Sequence, residues 1–510
     1  MRRLNRRSRT GGAWGMVCVA FLIASCSAGG AEPTPAGGTA PLGPADVRLA
    51  EFYQQQPAWA ACDGGFECAS VRVPLSYEDP TRDALELSII KLPASDAAGR
   101  IGSLLLNPGG PGGSGIDYTK AADQVVSKDV RARYDIVGFD PRGVGTSDPI
   151  GCLTAEQTDR MMSMLGPPTS ETSADAVAAQ ARSFGEDCQR RSPRLTANVG
   201  TVPAAKDMDI LRAAVGDPKL NYVGRSYGSF LGVTYAGLFP NNVGRFVFDG
   251  AMPPTLTQAE LARGQAGGFE LALGRFVRDC ARHSGCPLAH NPAEALTKIG
   301  GWLDEVAKQP MRSGDRELTR PLAEAALLGP MYDPAQGWPQ LREALARAFR
   351  GDASGMLTLA DEFVGRDAEG RYRDNSIDAL YAVNCLDRAD RADAVATAAL
   401  AEQWAHEAPI FGAYFAWGNL PCATWPTPAT DAPHQITATG SGPIMVVGTR
   451  YDPATPYAWA VSMERDLSNA ALVTWEGDGH TGYRRGSSCV DAAVDRFLLS
   501  GVLPQAETRC

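Results

Sequence analysis

Histidine is scarce in this 510-residue chain, with five in all. Chemistry that needs an imidazole base is therefore confined to a few positions. Basic patches are missing as well. No run rich in Lys and Arg occurs beyond the extreme N-terminus, and the net charge is −10, so a nucleic-acid partner is not expected. The phosphate-loop pattern Gly-x-x-x-x-Gly-Lys-Ser/Thr does not occur, which removes a common nucleotide-binding signature. There is no internal repeat to suggest a solenoid. The apolar segment from about Ala13 to Ala24 is too short to span a bilayer as a helix.

That short apolar segment has a different use. Arg2, Arg3, Arg6, Arg7 and Arg9 precede it as a basic region, the layout of a secretory signal over residues 1–25. It ends Leu22-Ile23-Ala24-Ser25-Cys26, which resembles a bacterial lipobox with Cys26 as the lipidated residue; plain cleavage beside a bystander cysteine is the alternative. Loss of residues 1–25 removes five Arg and no acid, so the net charge of −10 becomes −15. Lipid on Cys26 with more than one acyl chain would hold the mature protein at a membrane surface, outside the cytoplasm; the alternative is a secreted form.

Cysteine usage agrees with export. Of twelve Cys, Cys18 leaves with the signal and Cys26 takes the lipid, leaving ten. An even count in an exported chain points to five disulfides. Neighbour pairing gives 62–68, 152–188, 280–286, 385–422 and 489–510, although spacing alone does not fix connectivity. Cys280, His283, Cys286 and His290 lie close enough to suggest a metal site. Their irregular spacing and the oxidising compartment favour a disulfide instead, and no metal is expected.

Composition along the chain divides it. Residues 26–45, rich in Gly, Pro, Ala and Thr, read as a flexible tether. Residues 46–250 alternate strand-like runs with helical stretches. The strand-like runs are 71–75, 85–90, Ser103–Leu106, Tyr134–Asp140, Leu220–Val223 and Arg245–Asp249; helices are expected near 174–190 and 204–214. This alternation predicts a mainly parallel sheet with helices on both faces. Residues 251–435 lose the alternation. Helical spacing dominates over Gln258–Cys280, Pro292–Ala307, Pro339–Phe349 and Ala392–His406, which predicts a helical cap inserted between core strands. The core resumes over 436–510 with Pro443–Gly448, Ala471–Trp475 and a closing helix at about Val490–Ser500.

Within this frame, Leu220-Asn221-Tyr222-Val223-Gly224-Arg225-Ser226-Tyr227-Gly228 carries Gly-x-Ser-x-Gly between an apolar run and a helix-compatible stretch. That is the context of a nucleophile elbow, with Ser226 lifted above the sheet and the Tyr227 N–H aimed at a developing oxyanion. With 55 Gly in the chain the five-residue pattern alone is weak, and an ordinary Gly-rich turn is the competing explanation. Asn107-Pro108-Gly109-Gly110-Pro111-Gly112-Gly113-Ser114-Gly115 directly follows a buried-strand run. So Gly-rich a backbone can turn its amides toward an anion, and the Gly110 N–H is the expected second oxyanion donor.

A serine needs a base and an orienting carboxylate. His283, His290, His406 and His434 fall in the cap or its exit, whereas His480 follows the last expected core strand in Gly477-Asp478-Gly479-His480. Asp452, in Tyr451-Asp452-Pro453-Ala454-Thr455-Pro456, follows the resumed strand. Asp249, at the end of the strand after the elbow, is the competing acid. The order Ser226, Asp452, His480 is that of α/β-hydrolases.

The runs Asn107–Gly115, Asp135–Gly145, Tyr222–Gly232, Val243–Pro253, Asp452–Pro456 and Gly477–His480 resemble the tripeptidyl-aminopeptidase group of α/β-hydrolases. These are exported bacterial serine exopeptidases related to prolyl iminopeptidases. The likeness covers the core, about 62–249 and 443–510, and reaches the cap chiefly at Ala382–Asp387. One departure is visible. Prolyl iminopeptidases open the oxyanion loop with His-Gly-Gly-Pro, and this chain has Pro108-Gly109-Gly110-Pro111, which puts it nearer the tripeptidyl branch. The resemblance implies an α/β-hydrolase fold and a Ser226–His480–Asp452 acyl-enzyme mechanism without a cofactor. It also implies a peptide substrate with a free N-terminus, whose amine a cap carboxylate would bind; Asp387 is the residue carried over for that role. A carboxylesterase or lipase on the same core is the alternative, and a catalytically silent binding lipoprotein a third reading. An Asp-nucleophile hydrolase is excluded by the serine at the elbow.

Overall fold

The computed structural model describes residues 46–169, 172–505 and 508–510. The expected signal segment, Cys26 and the tether up to residue 45 lie outside the described residues. Twelve strands are present among them: β1 (Ala60–Cys62), β2 (Phe66–Pro74), β3 (Ala84–Leu92), β4 (Gly102–Asn107), β5 (Tyr134–Phe139), β6 (Leu220–Arg225), β7 (Val243–Asp249), β8 (Met311–Ser313), β9 (Arg316–Leu318), β10 (Ile444–Tyr451), β11 (Ala470–Asp478) and β12 (Thr508–Arg509). Ten of them form one sheet in the order β1-β2-β3-β5-β4-β6-β7-β10-β11-β12. The pairs from β1 to β5 along this order are antiparallel, and every pair from β5 to β12 is parallel.

The parallel strands are apolar on both sides because both sheet faces are covered. Alternate residues serve alternate faces. Leu105, Val137, Tyr222, Phe246, Phe248 and Val446 enter one core. Their neighbours Leu104, Leu106, Ile136, Val223, Val247 and Met445 enter another with Val490, Val494, Phe497 and Leu498 of the closing helix Ser488–Ser500. A one-residue slip in any of these strands would exchange the two sets.

A fully buried ion pair ties the first half together. Arg142, in the turn after β5, reaches both oxygens of Asp207 at 2.6 and 2.7 Å and the carbonyls of Pro74, Leu75 and Asn198. Asp207 sits on the helix Thr201–Ala214, which packs beside the elbow helix Tyr227–Leu238. Removing one partner would strand a buried charge, at a cost of about 3–5 kcal/mol.

Strands β7 and β10 are hydrogen-bonded neighbours, yet a long helical stretch lies between them in the chain. It has a hydrophobic core of its own, built from residues such as Phe269, Phe276, Leu303, Leu327, Leu345 and Met356. The expected helix Gln258–Cys280 is present with those bounds, and the expected Pro292–Ala307 and Ala392–His406 appear as Pro292–Lys308 and Ala394–Glu407. Five further helices, Arg320–Tyr332, Ser354–Val364, Ser376–Asp387, Gly412–Gly418 and Leu420–Ala423, are present beyond those expected, as is the β8–β9 hairpin. The helix expected from Pro339 starts at Pro334 and accommodates Pro339 inside it.

The five neighbour-paired disulfides are all formed: Cys62–Cys68, Cys152–Cys188, Cys280–Cys286, Cys385–Cys422 and Cys489–Cys510. No helix among the described residues is long and apolar enough to cross a membrane.

Candidate active site

Strand β6 ends at Arg225 and the elbow helix begins at Tyr227, leaving Ser226 alone at the corner with φ 54° and ψ −123°. A non-glycine residue at positive φ is strained and persists only where its surroundings impose it. Here they do. A Cβ at Gly224 would lie 2.3 Å from the Gly228 carbonyl, and one at Gly228 2.7 Å from Asn107 Oδ1. The Ser226 N–H donates to the Asp249 carbonyl at 2.9 Å, locking the corner onto β7. Tyr227 opens the helix, so its N–H is one of the amides that no helical carbonyl satisfies.

The Gly-rich loop after β4 lies on this corner. A Cβ at Gly109, which has φ 97°, would fall 2.5 Å from the Arg225 carbonyl, 2.9 Å from Ser226 Cβ and 3.3 Å from the Tyr227 N. Only a residue without a side chain can sit there. The next residue, Gly110, also has positive φ, 113°, and its N–H makes no backbone hydrogen bond among the described residues.

Asp452 and His480 meet directly. His480 Nδ1 lies 2.8 and 3.0 Å from the two Asp452 oxygens. Asp452 also accepts the amides of Ala454, Thr455 and Thr481 at 3.0, 2.8 and 3.0 Å. Both side chains are almost wholly buried. The carboxylate is thus fixed by its own turn, and the Asp-Pro-x-Thr-Pro sequence supplies that turn. With Nδ1 taken by Asp452, Nε2 is the ring nitrogen left for chemistry. The His480 ring lies near the end of β7: its Cε1 would be 3.3 Å from a Cβ on Gly250, the residue after the carbonyl that holds Ser226.

The competing acid has another task. Asp249 accepts the Gly482 and Tyr483 amides at 2.7 and 3.0 Å and pairs with Arg225 at 3.6 Å. Burial raises its carboxyl above the ordinary value, with Arg225 and the two amides opposing that rise. It anchors the backbone just beyond His480, while Asp452 faces the ring. Arg225 continues the anchor by donating to the Tyr483 carbonyl at 2.6 Å. The sequence marked Arg225 only as the variable residue of the elbow, so this support was not foreseen.

Asp387 is engaged elsewhere. It is buried behind the elbow helix, accepting the Thr201 N–H at 2.7 Å and the Thr201 hydroxyl at 2.6 Å, and that hydroxyl also bonds Tyr227 Oη. Burial pushes its carboxyl up to about 6. Both oxygens are occupied by a structural network, so the expected role in binding a substrate amine is not supported.

A cavity of about 350 Å³ opens beside the Gly-rich loop after β4. Gly110 and Pro111 of that loop, with Met162 and Leu165, form one part of the wall, and the helical insertion forms the rest, with Phe269, Tyr332, Tyr381, Asn384, Tyr414 and Phe415 prominent. Tyr332 links the cavity to His480: its ring stands edge-on to the imidazole at 5.1 Å, and its carbonyl accepts the His480 N–H at 3.0 Å. Among the described residues no Asp, Glu, Lys or Arg lines this cavity, and no group of three or more His, Cys, Asp or Glu could hold a metal ion.

The sheet and this site define a serine hydrolase of the α/β-hydrolase class. Residues 408–510 match the family model described as TAP-like protein. The chain is 35% identical over 491 residues to the serine protease Hip1 of Mycobacterium tuberculosis, covering 91% of this chain and 93% of that protein. It is likewise 35% identical over 497 residues to a protein named carboxylesterase B from the same species, covering 94% and 95%. To the tripeptidyl aminopeptidase of Streptomyces coelicolor it is 31% identical over 465 residues, covering 87% and 83%. The chain belongs to this tripeptidyl-aminopeptidase-like family of α/β-hydrolase serine peptidases.

Proposed function

We propose that this protein is an exported serine aminopeptidase that releases short peptides, with tripeptides as the expected product, from free N-termini. The observations that carry the reading are the strained Ser226 corner tied to the end of β7, where the His480 ring of the Asp452–His480 pair also lies, and the walled cavity that Gly110 and Tyr332 join to this region. In the first step Ser226 Oγ attacks the scissile carbonyl while His480 Nε2 takes its proton. Asp452 orients the ring and stabilises the imidazolium, and the Tyr227 and Gly110 amides receive the oxyanion. His480 then protonates the leaving amine, and water, activated by the same ring, releases the acyl group. A cavity of this size favours a chain end over a folded protein. Gln258 Oε1, at the cavity and buried without a partner, is an acceptor for a substrate N–H.

A second reading, a carboxylesterase on the same triad, is favoured by one observation: the cavity lining carries no carboxylate to pair with an ammonium group. Matched tripeptide amides with free and acetylated N-termini separate the two. The aminopeptidase reading predicts a strong preference for the free amine, and equal rates would sink it.

Export is part of the proposal. The basic and apolar start of the chain and the five disulfides support an oxidising, extracytoplasmic location. Lipid on Cys26 would tether the enzyme to the membrane surface through residues 26–45. Metabolic labelling with palmitate should mark the wild-type protein and not Cys26→Ser.

A further inference from the structure

The helical insertion does more than wall the cavity. The long helix Gln258–Cys280 presents Gly264, Gly268 and Arg275 on one stripe, about 40° wide at 100° per residue. All three positions meet the segments that carry the acid and the base. A Cβ at Gly268 would lie 2.3 Å from the Pro453 carbonyl oxygen and 3.3 Å from that of Asp452. One at Gly264 would lie 2.4 Å from the Trp459 ring, on the helix Tyr457–Asp466 that follows the acid loop. Beside this stripe, Gln265 Nε2 donates to the Ala454 carbonyl at 3.1 Å. Arg275 then crosses to the other loop. Its guanidinium forms a two-pronged pair with Asp478 at 2.6 and 2.7 Å, two residues before His480, and lies 3.9 Å from the Tyr451 ring centre, one residue before Asp452.

From the end of the helix Arg320–Tyr332, the Tyr332 carbonyl accepts the His480 N–H. Glycine inside a helix weakens it relative to alanine, so two glycines on this stripe mark a close approach.

We propose that the insertion is a positioning device: Gly268, Arg275 and the Tyr332 carbonyl hold the Asp452 and His480 loops in the register that the proton transfers need. This rests on the assignment of Ser226, His480 and Asp452 above. The mechanism is steric and electrostatic. The helix backbone lies directly on the acid turn, and the Arg275 pair draws the base loop toward the same helix. Misplacement of reacting groups by about 1 Å costs on the order of 100-fold in rate.

The helix supplies its own control. Nothing lies within 4 Å of a Cβ placed on Gly267, so Gly267→Ala adds helix propensity without touching either loop. Gly268→Ala makes the same chemical change one residue along and drives a methyl group into the Pro453 carbonyl. Steady-state kinetics on a small peptide amide should show Gly267→Ala unchanged, and Gly268→Ala reduced by about tenfold or more in kcat with KM nearly unchanged. Arg275 is one-third exposed, so Arg275→Ala should keep the fold. It should lower kcat in the same way, and Arg275→Lys, which keeps the charge, should restore most of it. If Gly268→Ala does not fold, the Arg275 pair of variants decides. Wild-type kcat in folded Gly268→Ala and in Arg275→Ala would overturn the proposal. Fluorophosphonate labelling that survives Ser226→Ala would overturn the triad assignment instead, so the two failures are distinguishable.

Discussion

The carboxyl ends of the core strands and the helical insertion build one site in two different ways. At the strand ends the two aspartates are held by short-range polar partners. Asp452 accepts three amides and a ring nitrogen, and Asp249 accepts two amides beside an arginine. The insertion contributes ring faces, carbonyls and close backbone approach, and no charged group that lines the cavity. On the proposed reading the core carries the reacting atoms, and the insertion governs what reaches them and holds their loops in place. The two aspartates sharpen this further. They end neighbouring strands and grip the same loop, and only one of them touches the imidazole.

The largest expected effect tests that division. Asp452→Asn should lower kcat by about 10⁴-fold, because an amide N–H opposite Nδ1 favours the wrong histidine tautomer. Asp249→Asn keeps an acceptor for one loop amide and should cost less than about 10²-fold. Equal losses would erase the distinction. A smaller effect is expected at the oxyanion loop. Gly109→Ala places a methyl group against the elbow at positive φ and should displace the neighbouring amide, with a loss of about 10²–10³ in kcat. An unchanged rate would remove that loop from the account.

How much of this could be read beforehand follows the same line. Ser226, Asp452, His480 and the Gly-rich loop sit in short turns between apolar runs, where glycine and proline punctuate the chain and each residue's place follows from the strand before it. The disulfides followed from neighbour pairing. Asp387 did not, because its sequence context is an ordinary helix end. Only the tertiary packing of Thr201 and Tyr227 against it shows a buried structural carboxylate. One missed helix of the insertion, Arg320–Tyr332, carries Pro330 in its interior, and Pro339 sits inside the helix Pro334–Ala348. Proline reads as a breaker from sequence, and the packed core of the insertion overrides it. The Arg225–Asp249 anchor joins residues from two strands to a loop far along the chain, a contact that no local pattern encodes.

The smallest predicted effect concerns pH. Burial raises the carboxyls of Asp378 and Asp387 to about 6 and that of Glu324 to about 7. A carboxyl raised by folding contributes stability that is full below its unfolded value, near 4, and is lost as pH rises through the folded value. Stability from these groups should therefore fall between about pH 4 and pH 7. Asp387→Asn should flatten its share of that fall, up to about 3 kcal/mol between pH 4 and pH 6. Thermal melts of the two proteins across this range measure it. A wild-type curve that rises over the window would reverse the sign argued from burial.

The central claim is that Ser226 is the nucleophile the rest of the site serves. Reaction with a fluorophosphonate, followed by mass spectrometry of the digested protein, tests it most directly. A single adduct on the peptide containing Ser226, lost in Ser226→Ala and slowed severely in His480→Ala, is the predicted result. An adduct on another residue, or labelling that persists in Ser226→Ala, would contradict the account.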